Sequence, residues 1–467
     1  MFDCTVLHTA AFQSAGLLQC SHDVLVNLLP LAFAPCCTTL NLNYSSKMTL
    51  LSITSILITV SALFAYVNYR TLKLPTTIGI MVCSLVFSLV LVLFGKLGYG
   101  DGERIAREII GQIEFDTTLL NGMLGFLLFA GAMHINLDRL LERKWTIGIL
   151  ASFGVITSMF LVAGGSYYLF QLFGFNVPFI FCLLFGSLIS PTDPIAVMGI
   201  LKTAGASKSL EIKIAGESLF NDGVAIVVFL AIFGMAVNGE VFDAKHIAVL
   251  FVQEAFGGAL FGFACGWLVL QMLKRVDDYK VEILLTLALV SGGATAAAGL
   301  HLSAPIAVVV AGLMIGNHGR RNAMSNTTVQ HLDTFWELID EILNAILFLI
   351  IGLEVMVLSL DLQMWVAGLA MAVMVLCARL ISVGIPVTIL RKMNREFHPH
   401  AVKILTWGGL RGGISVALAL SIPAGPERDL IVAVTYVIVV LSILVQGLSI
   451  GKLVKATAVE SHEPSDH

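Results

Sequence analysis

Two stretches, Gly186-Ser-Leu-Ile-Ser-Pro-Thr-Asp-Pro-Ile-Ala196 and Gly216-Glu-Ser-Leu-Phe-Asn-Asp-Gly223, place carboxylates inside apolar segments. A charged side chain at the centre of a bilayer costs at least about 2.5–3.5 kcal/mol on insertion scales, so an acid there indicates a functional site. Asp193, Glu217 and Asp222 lie close together in these two stretches. The two stretches together therefore predict an ion pathway through a membrane.

The composition of the whole chain supports this prediction. It is 57% hydrophobic and 12% charged, whereas soluble domains are about 25% charged. Apolar segments long enough to cross a bilayer, about 17–25 residues each, recur along the chain. We predict an all-α polytopic membrane protein with about thirteen transmembrane helices, which contacts a lipid bilayer and no nucleic acid. The predicted spans are 50–69, 75–97, 117–136, 146–172, 177–201, 215–238, 246–273, 281–300, 303–317, 341–359, 363–390, 401–421 and 429–450.

The distribution of basic residues predicts the orientation. Cytoplasmic loops collect Lys and Arg, and most of the 27 such residues in this chain lie in loops after odd-numbered spans. This bias places the N-terminus outside and the C-terminus in the cytoplasm, for a multi-pass protein of the cell (inner) membrane. Because Met48 begins a clean first span, we expect a non-core extension at 1–47, the transmembrane domain at 48–455 and a short cytoplasmic tail at 456–467.

Two of the predicted spans are broken. Span five contains Ser190-Pro-Thr-Asp-Pro194, whose prolines remove helical hydrogen bonds in mid-membrane. Span twelve contains Trp407-Gly-Gly-Leu-Arg-Gly-Gly413, whose glycines allow the helix to unwind. Broken helices at matching places in two halves of a transporter indicate a midplane substrate site. The step from span five to span twelve is seven spans, an odd offset that gives the two opposite orientations and predicts inverted repeats of spans one to six and eight to thirteen, with span seven as connector.

Asp222 is the candidate for the transporting acid. Residues four apart share a helix face, so Ser218 stacks with Asp222 toward span five, where Thr192 and Asp193 add oxygen atoms. Hard cations use such oxygen ligands, and the lack of His or Cys in this group argues against zinc or copper; we expect no cofactor. Desolvation raises the pKa of a buried carboxylate and a nearby cation lowers it, so such an acid holds either a proton or a cation.

Glu217 would disturb this competition unless it were neutralised. Arg379 lies in the otherwise apolar Leu376-Cys-Ala-Arg-Leu380 and is the expected partner, because intramembrane charges usually pair. Asn221 stacks with Glu217 on a neighbouring face. We therefore predict a structural polar cluster of Glu217, Asn221 and Arg379, and a single acid that trades one proton for one monovalent cation without net charge movement.

Structural roles remain open for the other charged residues. Asp193 is also suited to cap the second half of the broken helix. Arg411, in the break of span twelve, is suited to tie helix C-terminal carbonyls instead of lining the ion path. Other titratable side chains lie near predicted span ends or on helix faces, where solvated or interfacial positions are expected: Glu254, Glu282, Glu341, Glu354, His134 and His301.

Together these residues resemble the monovalent cation/proton antiporter family of the NhaP and sodium/proton exchanger type. The resemblance covers about 50–455, and its most specific parts are Pro191-Thr-Asp-Pro194 followed by Gly216-Glu-Ser-Leu-Phe-Asn-Asp-Gly223. The supporting matches are Phe335-Trp-Glu337, Asn344, Gly352-Leu-Glu354, Arg379, Gly408-Gly-Leu-Arg-Gly412 and Val445-Gln-Gly447.

The resemblance implies the sodium/proton antiporter fold, with a dimerisation domain, a six-helix core, crossed broken helices five and twelve, and elevator-like alternating access in a homodimer. It implies that Asp222 binds the ion, and it associates the Asn-Asp pair with electroneutral exchange. It assigns Thr192, Asp193 and Ser218 to the ion site, and Glu217, Asn221 and Arg379 to its stabilisation. The chain departs from the family where it reads Leu127-Leu-Phe-Ala-Gly131, because many relatives carry an acid at the position of Ala130.

We therefore predict a secondary antiporter, not an enzyme, that exchanges Na+ or Li+ for H+. A K+/H+ antiporter is the alternative, because the same oxygen ligands suit K+. An intramembrane aspartyl protease would also use two aspartates, Asp193 and Asp222, but would cleave a transmembrane substrate without an ion gradient. An ion channel would carry ionic current.

Overall fold

The computed structural model describes residues 50–97, 118–193, 208–237, 244–356, 361–393 and 399–459, with a few single positions between these ranges. Regular structure in these ranges is helical throughout. The predicted extension 1–47 lies outside the described residues, as does most of the second half of span five. The last described helix continues to Val459, so the predicted boundary at 455/456 falls inside a helix.

The helices are labelled α1 to α18 in chain order. They are α1 (Leu50–Val67), α2 (Thr76–Lys96), α3 (Leu124–Met133), α4 (Leu137–Glu142), α5 (Lys144–Ile149), α6 (Val155–Leu172), α7 (Phe179–Ile189), α8 (Lys208–Val237), α9 (Ala244–Leu273), α10 (Tyr279–Gly299), α11 (Ala304–Met314), α12 (Arg320–Asn322), α13 (Asn326–Glu354), α14 (Leu362–Lys392), α15 (Ala401–Trp407), α16 (Gly413–Leu420), α17 (Pro426–Leu441) and α18 (Leu448–Val459). Short π-helical segments adjoin several of them, at Asn68–Leu72, Thr118–Met123, Leu150–Gly154, Ile315–Gly319 and Ser442–Gly447.

The helices confirm the membrane architecture. Among the described residues, 8 segments are long and apolar enough to cross a bilayer, and Thr118–Met133 and Phe179–Ile189 are shorter apolar helices. Helix occupies each of the thirteen predicted positions. Large apolar side chains on outward faces, such as Leu260 and Val373, are well exposed. Such a surface suits lipid, and a helix satisfies its own backbone hydrogen bonds there.

The tenth span differs from the prediction. The predicted span begins at residue 341, but α13 runs without a break from Asn326 to Glu354. Its first half carries acids on one face while Leu332 and Trp336 on the other are buried. A helix with one apolar face is stabilised by packing on that face alone. The polar start of α13 therefore continues directly into the apolar span.

Three large apolar clusters meet at α8. One joins α3, α10, α11 and α13 around Phe129, and α8 adds Leu219 to it. Another joins α6, α7, α14 and α17 around Phe185, and α8 adds Phe229. The third includes Ile214 of α8 and residues of α2, α13 and α15. Because α8 carries the acidic motif, the fold places that motif where these packed groups of helices meet.

Both predicted breaks are confirmed. Helix α7 ends at Ile189 and the chain is non-helical from Ser190 to Asp193, while α15 and α16 are separated by the non-helical residues 408–412. The two breaks contact each other, since the backbone N–H of Asp193 donates to the carbonyl of Leu410 at 2.8 Å. The unwound segments thus satisfy part of each other's backbone hydrogen bonding inside the protein.

Candidate functional site

Arg411 ties the two broken helices together. Its guanidinium donates to the carbonyl of Ser190 and to that of Pro191, the latter at 2.8 Å. These carbonyls follow the C-terminus of α7, where a helix leaves acceptors without partners. The side chain is 2% exposed. These contacts match the structural role considered for Arg411, that of a tie to carbonyls at a helix C-terminus. The guanidinium is also a buried positive charge that acts electrostatically on Asp222.

Glycine is required where the breaks cross. A Cβ atom on Gly412 would lie 2.4 Å from Oδ2 of Asp193, and one on Gly409 would lie 2.8 Å from Nε of Arg379. Only a residue without a side chain permits such an approach. The glycines of span twelve therefore let its backbone contact both a predicted ion ligand and the predicted scaffold.

Three polar side chains join α8 to the broken helix. Nδ2 of Asn221 donates to Oγ1 of Thr192 at 2.8 Å, and the Ser218 hydroxyl lies 3.0 Å from the same oxygen. All three residues are buried. The two adjacent stripes predicted for α8 meet at this point, because residues three apart also share a helix face. Ser218 and Asn221 converge on Thr192 as one junction.

Glu217 and Arg379 form the buried ion pair expected from the sequence. The distance from Nη2 of Arg379 to Oε1 of Glu217 is 2.6 Å, and the two side chains are 3% and 2% exposed. A buried pair is costly to break because one charge is left uncompensated. Asn221 donates to Thr192, so α8 is attached to α14 through Glu217 and to the broken helix through Asn221.

Asp222 lies at a small cavity beside the two breaks. The cavity has a volume of about 60 Å³ and is lined by Asp222, Asp193, Thr192 and Ser415 together with glycines and apolar side chains. A water molecule needs about 10–15 Å³, so a few small species fit. Oδ1 of Asp222 is buried and has no hydrogen-bond partner within the described part of the chain. A buried acceptor of this kind requires a proton, a water molecule or a cation.

Helix α3 contributes apolar groups to the wall of the cavity. Leu127, Leu128 and Gly131 line it, and Ala130 is buried with its carbonyl 2.8 Å from Nδ1 of His134. The position at which many relatives carry an acid is therefore occupied by a methyl group here. The acids that line the cavity come from α8 and the broken helix alone.

The five charged side chains where the broken helices meet α8 and α14 have one negative charge in excess when all are ionised. Asp193, Glu217 and Asp222 carry three when ionised, and Arg379 and Arg411 supply two positive charges. One monovalent cation or one proton makes this group neutral. Neutrality favours residence in a bilayer, because a net charge there is costly.

Sequence reasoning missed the support behind the second break. The backbone N–H of Arg411 donates to Ser442 Oγ at 3.0 Å, and Ser442 donates to Gln446 Oε1 at 2.6 Å. Gln446 Nε2 in turn reaches the carbonyl of Trp407 at 3.3 Å. These residues lie in the π-helical segment Ser442–Gly447, and π-helical turns are frequent at functional sites. The signal in the sequence is Val445-Gln-Gly447, which contains Gln446 and is one of the supporting matches to the family.

Two acids expected at solvated or interfacial positions are instead buried. Glu282 is 0% and Glu354 7% exposed. Glu282 accepts a hydrogen bond from Thr328 Oγ1 at 3.4 Å, because the start of α13 covers it. Because the covering segment is 46 residues away in the sequence, the residues around Glu282 carry no pattern that predicts its burial. Glu341 and His301 are exposed and Glu254 is half-buried, in line with the expectation.

Comparison with known proteins gives consistent findings. The family described as sodium/hydrogen exchanger, transmembrane, matches residues 58–456. The Na(+)/H(+) antiporter NhaP of Pseudomonas aeruginosa is 54% identical over 409 residues, which are 87% of this chain and 96% of that protein. The Na(+)/H(+) antiporter NhaH of Halobacillus dabanensis is 32% identical over 83% of this chain and 93% of its own length.

A solved structure has the same fold. The sodium proton antiporter MjNhaP1 from Methanocaldococcus jannaschii at pH 8 superposes with a TM-score of 0.68 at 18% identity, over 87% of this chain and 99% of that chain. At this identity the match concerns the arrangement of the helices.

Proposed function

The chain belongs to the sodium/hydrogen exchanger family, and from this premise we propose that it exchanges one Na+ for one H+ by alternating access, with Asp222 binding either ion. As a family member the protein is a transporter and not an enzyme, which removes the protease hypothesis. The observation that carries the proposal is the single excess negative charge around a buried carboxylate oxygen without a partner.

The exchange follows from competition at Asp222. With the proton bound or with Na+ bound, the charges of Asp193, Glu217, Asp222, Arg379, Arg411 and the bound ion sum to zero. With neither bound, one uncompensated charge remains, and moving it through the bilayer costs at least about 2.5–3.5 kcal/mol. Movement between the two membrane faces is therefore restricted to the loaded states, and each cycle exchanges one ion for the other without net charge movement.

The Na+ ligands are oxygen atoms of Asp222, Asp193, Thr192 and Ser218, completed by water in the cavity. These are ligands that hard cations prefer. Glu217, Asn221 and Arg379 hold α8 in place, and Arg411 holds the two breaks. We place the protein as a homodimer in the cell membrane, with its N-terminus outside, its C-terminus in the cytoplasm and residues 48–455 as the exchanger domain.

The test is proton flux in proteoliposomes that contain a pH dye. Na+, Li+, K+ and choline chloride are added in turn, with the membrane potential clamped by valinomycin and equal K+ on both sides for the Na+ and Li+ trials. The chain is compared with Asp222→Asn and with Asp361→Asn. Asp361 is an exposed acid at the start of α14 whose side chain makes no capping hydrogen bond, so it controls for the loss of one charge.

Na+-dependent flux that persists under the clamp, is lost in Asp222→Asn and is kept in Asp361→Asn supports electroneutral exchange at Asp222. A response to K+ and not Na+ would reassign the substrate. Flux that follows the membrane potential would overturn the one-for-one stoichiometry, and equal flux in Asp222→Asn would remove this acid from the mechanism.

A further inference from the structure

Helix α13 directs a polar stripe toward the ion cavity. Leu347 lines that cavity together with Asp193 and Asp222. Asn344 and Asp340 lie three and seven residues before Leu347, so the three share one helix face. At 1.5 Å of rise per residue, the Cα of Asp340 lies about 10 Å from that of Leu347 along the helix. The stripe therefore runs from the cavity toward the beginning of α13, the side predicted to face the cytoplasm.

The side-chain oxygen of Asn344 is a hydrogen-bond acceptor that lacks a donor among the described residues. The residue is 1% exposed, and Oδ1 has no hydrogen-bond partner in the described ranges. Its amide donates to the Asp340 carboxylate one turn earlier, so the carbonyl oxygen is the group left over. Leaving a buried acceptor unpaired costs about 1–3 kcal/mol. A bound water molecule or cation would remove this cost.

Asp340 is half-buried, and the charged residues that act on it are all acids. Asp193, Glu341 and Glu337 act on it electrostatically. Asp333, two turns earlier on α13, is paired with Arg320. No ion pair of Asp340 is present among the residues that the structure describes. A carboxylate without a basic partner, beside an amide oxygen without a donor in the described ranges and under the influence of Asp193, is an environment that attracts a cation.

We propose that Asp340 and Asn344 form a second contact for the transported cation, at which a partly hydrated ion binds before it passes to Asp222. The inference rests on the proposed function and adds residues to it. The carboxylate and the amide oxygen supply hard-cation ligands, and water completes the shell. The negative charge raises the local cation concentration along the path, so this contact sets the apparent affinity from its side of the membrane.

The expected phenotype separates this role from that of Asp222. Asp340→Asn keeps the shape of the side chain and its reach to Asn344 but removes the charge. Measured at alkaline pH, where the Asp340 carboxylate is ionised, we expect a rise of about tenfold in the KM for Na+ at low ionic strength, with kcat retained, because a unit charge about 10 Å from the cavity still acts strongly at an effective dielectric constant near 20. In choline chloride above about 0.1 M the difference shrinks, since the Debye length falls below 10 Å.

Asn344→Ala tests direct contact. No charge changes, so an effect on KM that persists at high choline concentration indicates a lost ligand and not a changed field. Asn344→Asp adds a charge at the same place and is expected to lower the KM. The matched control is Asp361→Asn, for which KM stays at the wild-type value. Thermal unfolding of each variant identifies any that fails to fold. If Asn344→Ala fails to fold, Asp340→Asn still tests the contact, and if Asp340→Asn fails to fold, Asn344→Ala does so.

The outcomes distinguish the two proposals. If the wild-type chain shows no cation-dependent flux, the proposed function fails. If the wild-type chain exchanges ions through Asp222 while Asp340→Asn and Asn344→Ala keep the wild-type KM, only the second contact is refuted. Loss of kcat at unchanged KM would also refute it, because it would assign these residues a structural role in the moving helices.

Discussion

The Glu217–Arg379 pair permits a quantitative test of how the site is held. The pair spans 2.6 Å between side chains that are nearly inaccessible to solvent. Removing one partner of such a pair costs about 3–5 kcal/mol, because the other charge is left buried and alone. Since 1 kcal/mol lowers Tm by about 2–4 °C in domains of 150–250 residues and by less in longer chains, we expect Arg379→Gln and Glu217→Gln each to lower Tm by about 3–10 °C.

The double variant is expected to recover most of this loss. Glu217→Gln with Arg379→Gln removes both charges of the pair, so neither is left without its partner, and the two amides can hydrogen-bond each other. The coupling energy from the double-mutant cycle should reach at least about 2 kcal/mol, within the range measured for residues in contact. The measurement is thermal unfolding of purified protein in detergent, with Arg321→Gln and Asp138→Asn as the control cycle.

The control pair is exposed, with side chains 60% and 59% accessible. Exposed pairs contribute about 0–1 kcal/mol, so the control cycle should show little coupling. Additive losses at Glu217 and Arg379, or coupling no larger than in the control, would refute the argument that this pair is a buried and mutually dependent unit.

Transport by the same variants checks the charge count. Glu217→Gln removes the excess negative charge around the cavity, so its apparent Na+ affinity should fall. The double variant restores one excess negative charge and should regain part of that affinity. If the double variant transports more weakly than either single variant, the count of charges around Asp222 does not govern binding.

Three further outcomes are expected. Gly412→Ala should abolish most exchange, because its Cβ would lie 2.4 Å from Asp193 Oδ2, while Gly292→Ala, with nothing within 4 Å on an exposed face of α10, should not lower Tm; flux and Tm of both variants test this. Because protons compete with Na+ at Asp222, the KM for Na+ should rise as pH falls, approaching tenfold per pH unit where the acid is protonated without Na+; a KM independent of pH in dye-based flux would exclude competition. Arg411→Met should lower stability by about 1–3 kcal/mol for each carbonyl left unpaired, and Arg411→Lys by less; equal unfolding curves would contradict the tie.

The amino-acid sequence by itself determined the membrane fold, the two breaks and the acids at their centre. These features are visible locally because lipid penalises them: prolines, clustered glycines and carboxylates inside apolar segments stand out against their surroundings. The pairing of Glu217 with Arg379 was also predictable, since two buried charges of opposite sign need each other.

Only the tertiary structure decided which groups meet. Helical spacing could not show that Asn221 turns to Thr192 and not to Glu217, that Arg411 holds the carbonyls after α7, or that Ser442 and Gln446 support it from α17's end. It also could not show that Glu282 is buried by α13. Each of these contacts joins segments far apart in the chain, and their geometry depends on how whole helices cross, which no short stretch of sequence encodes.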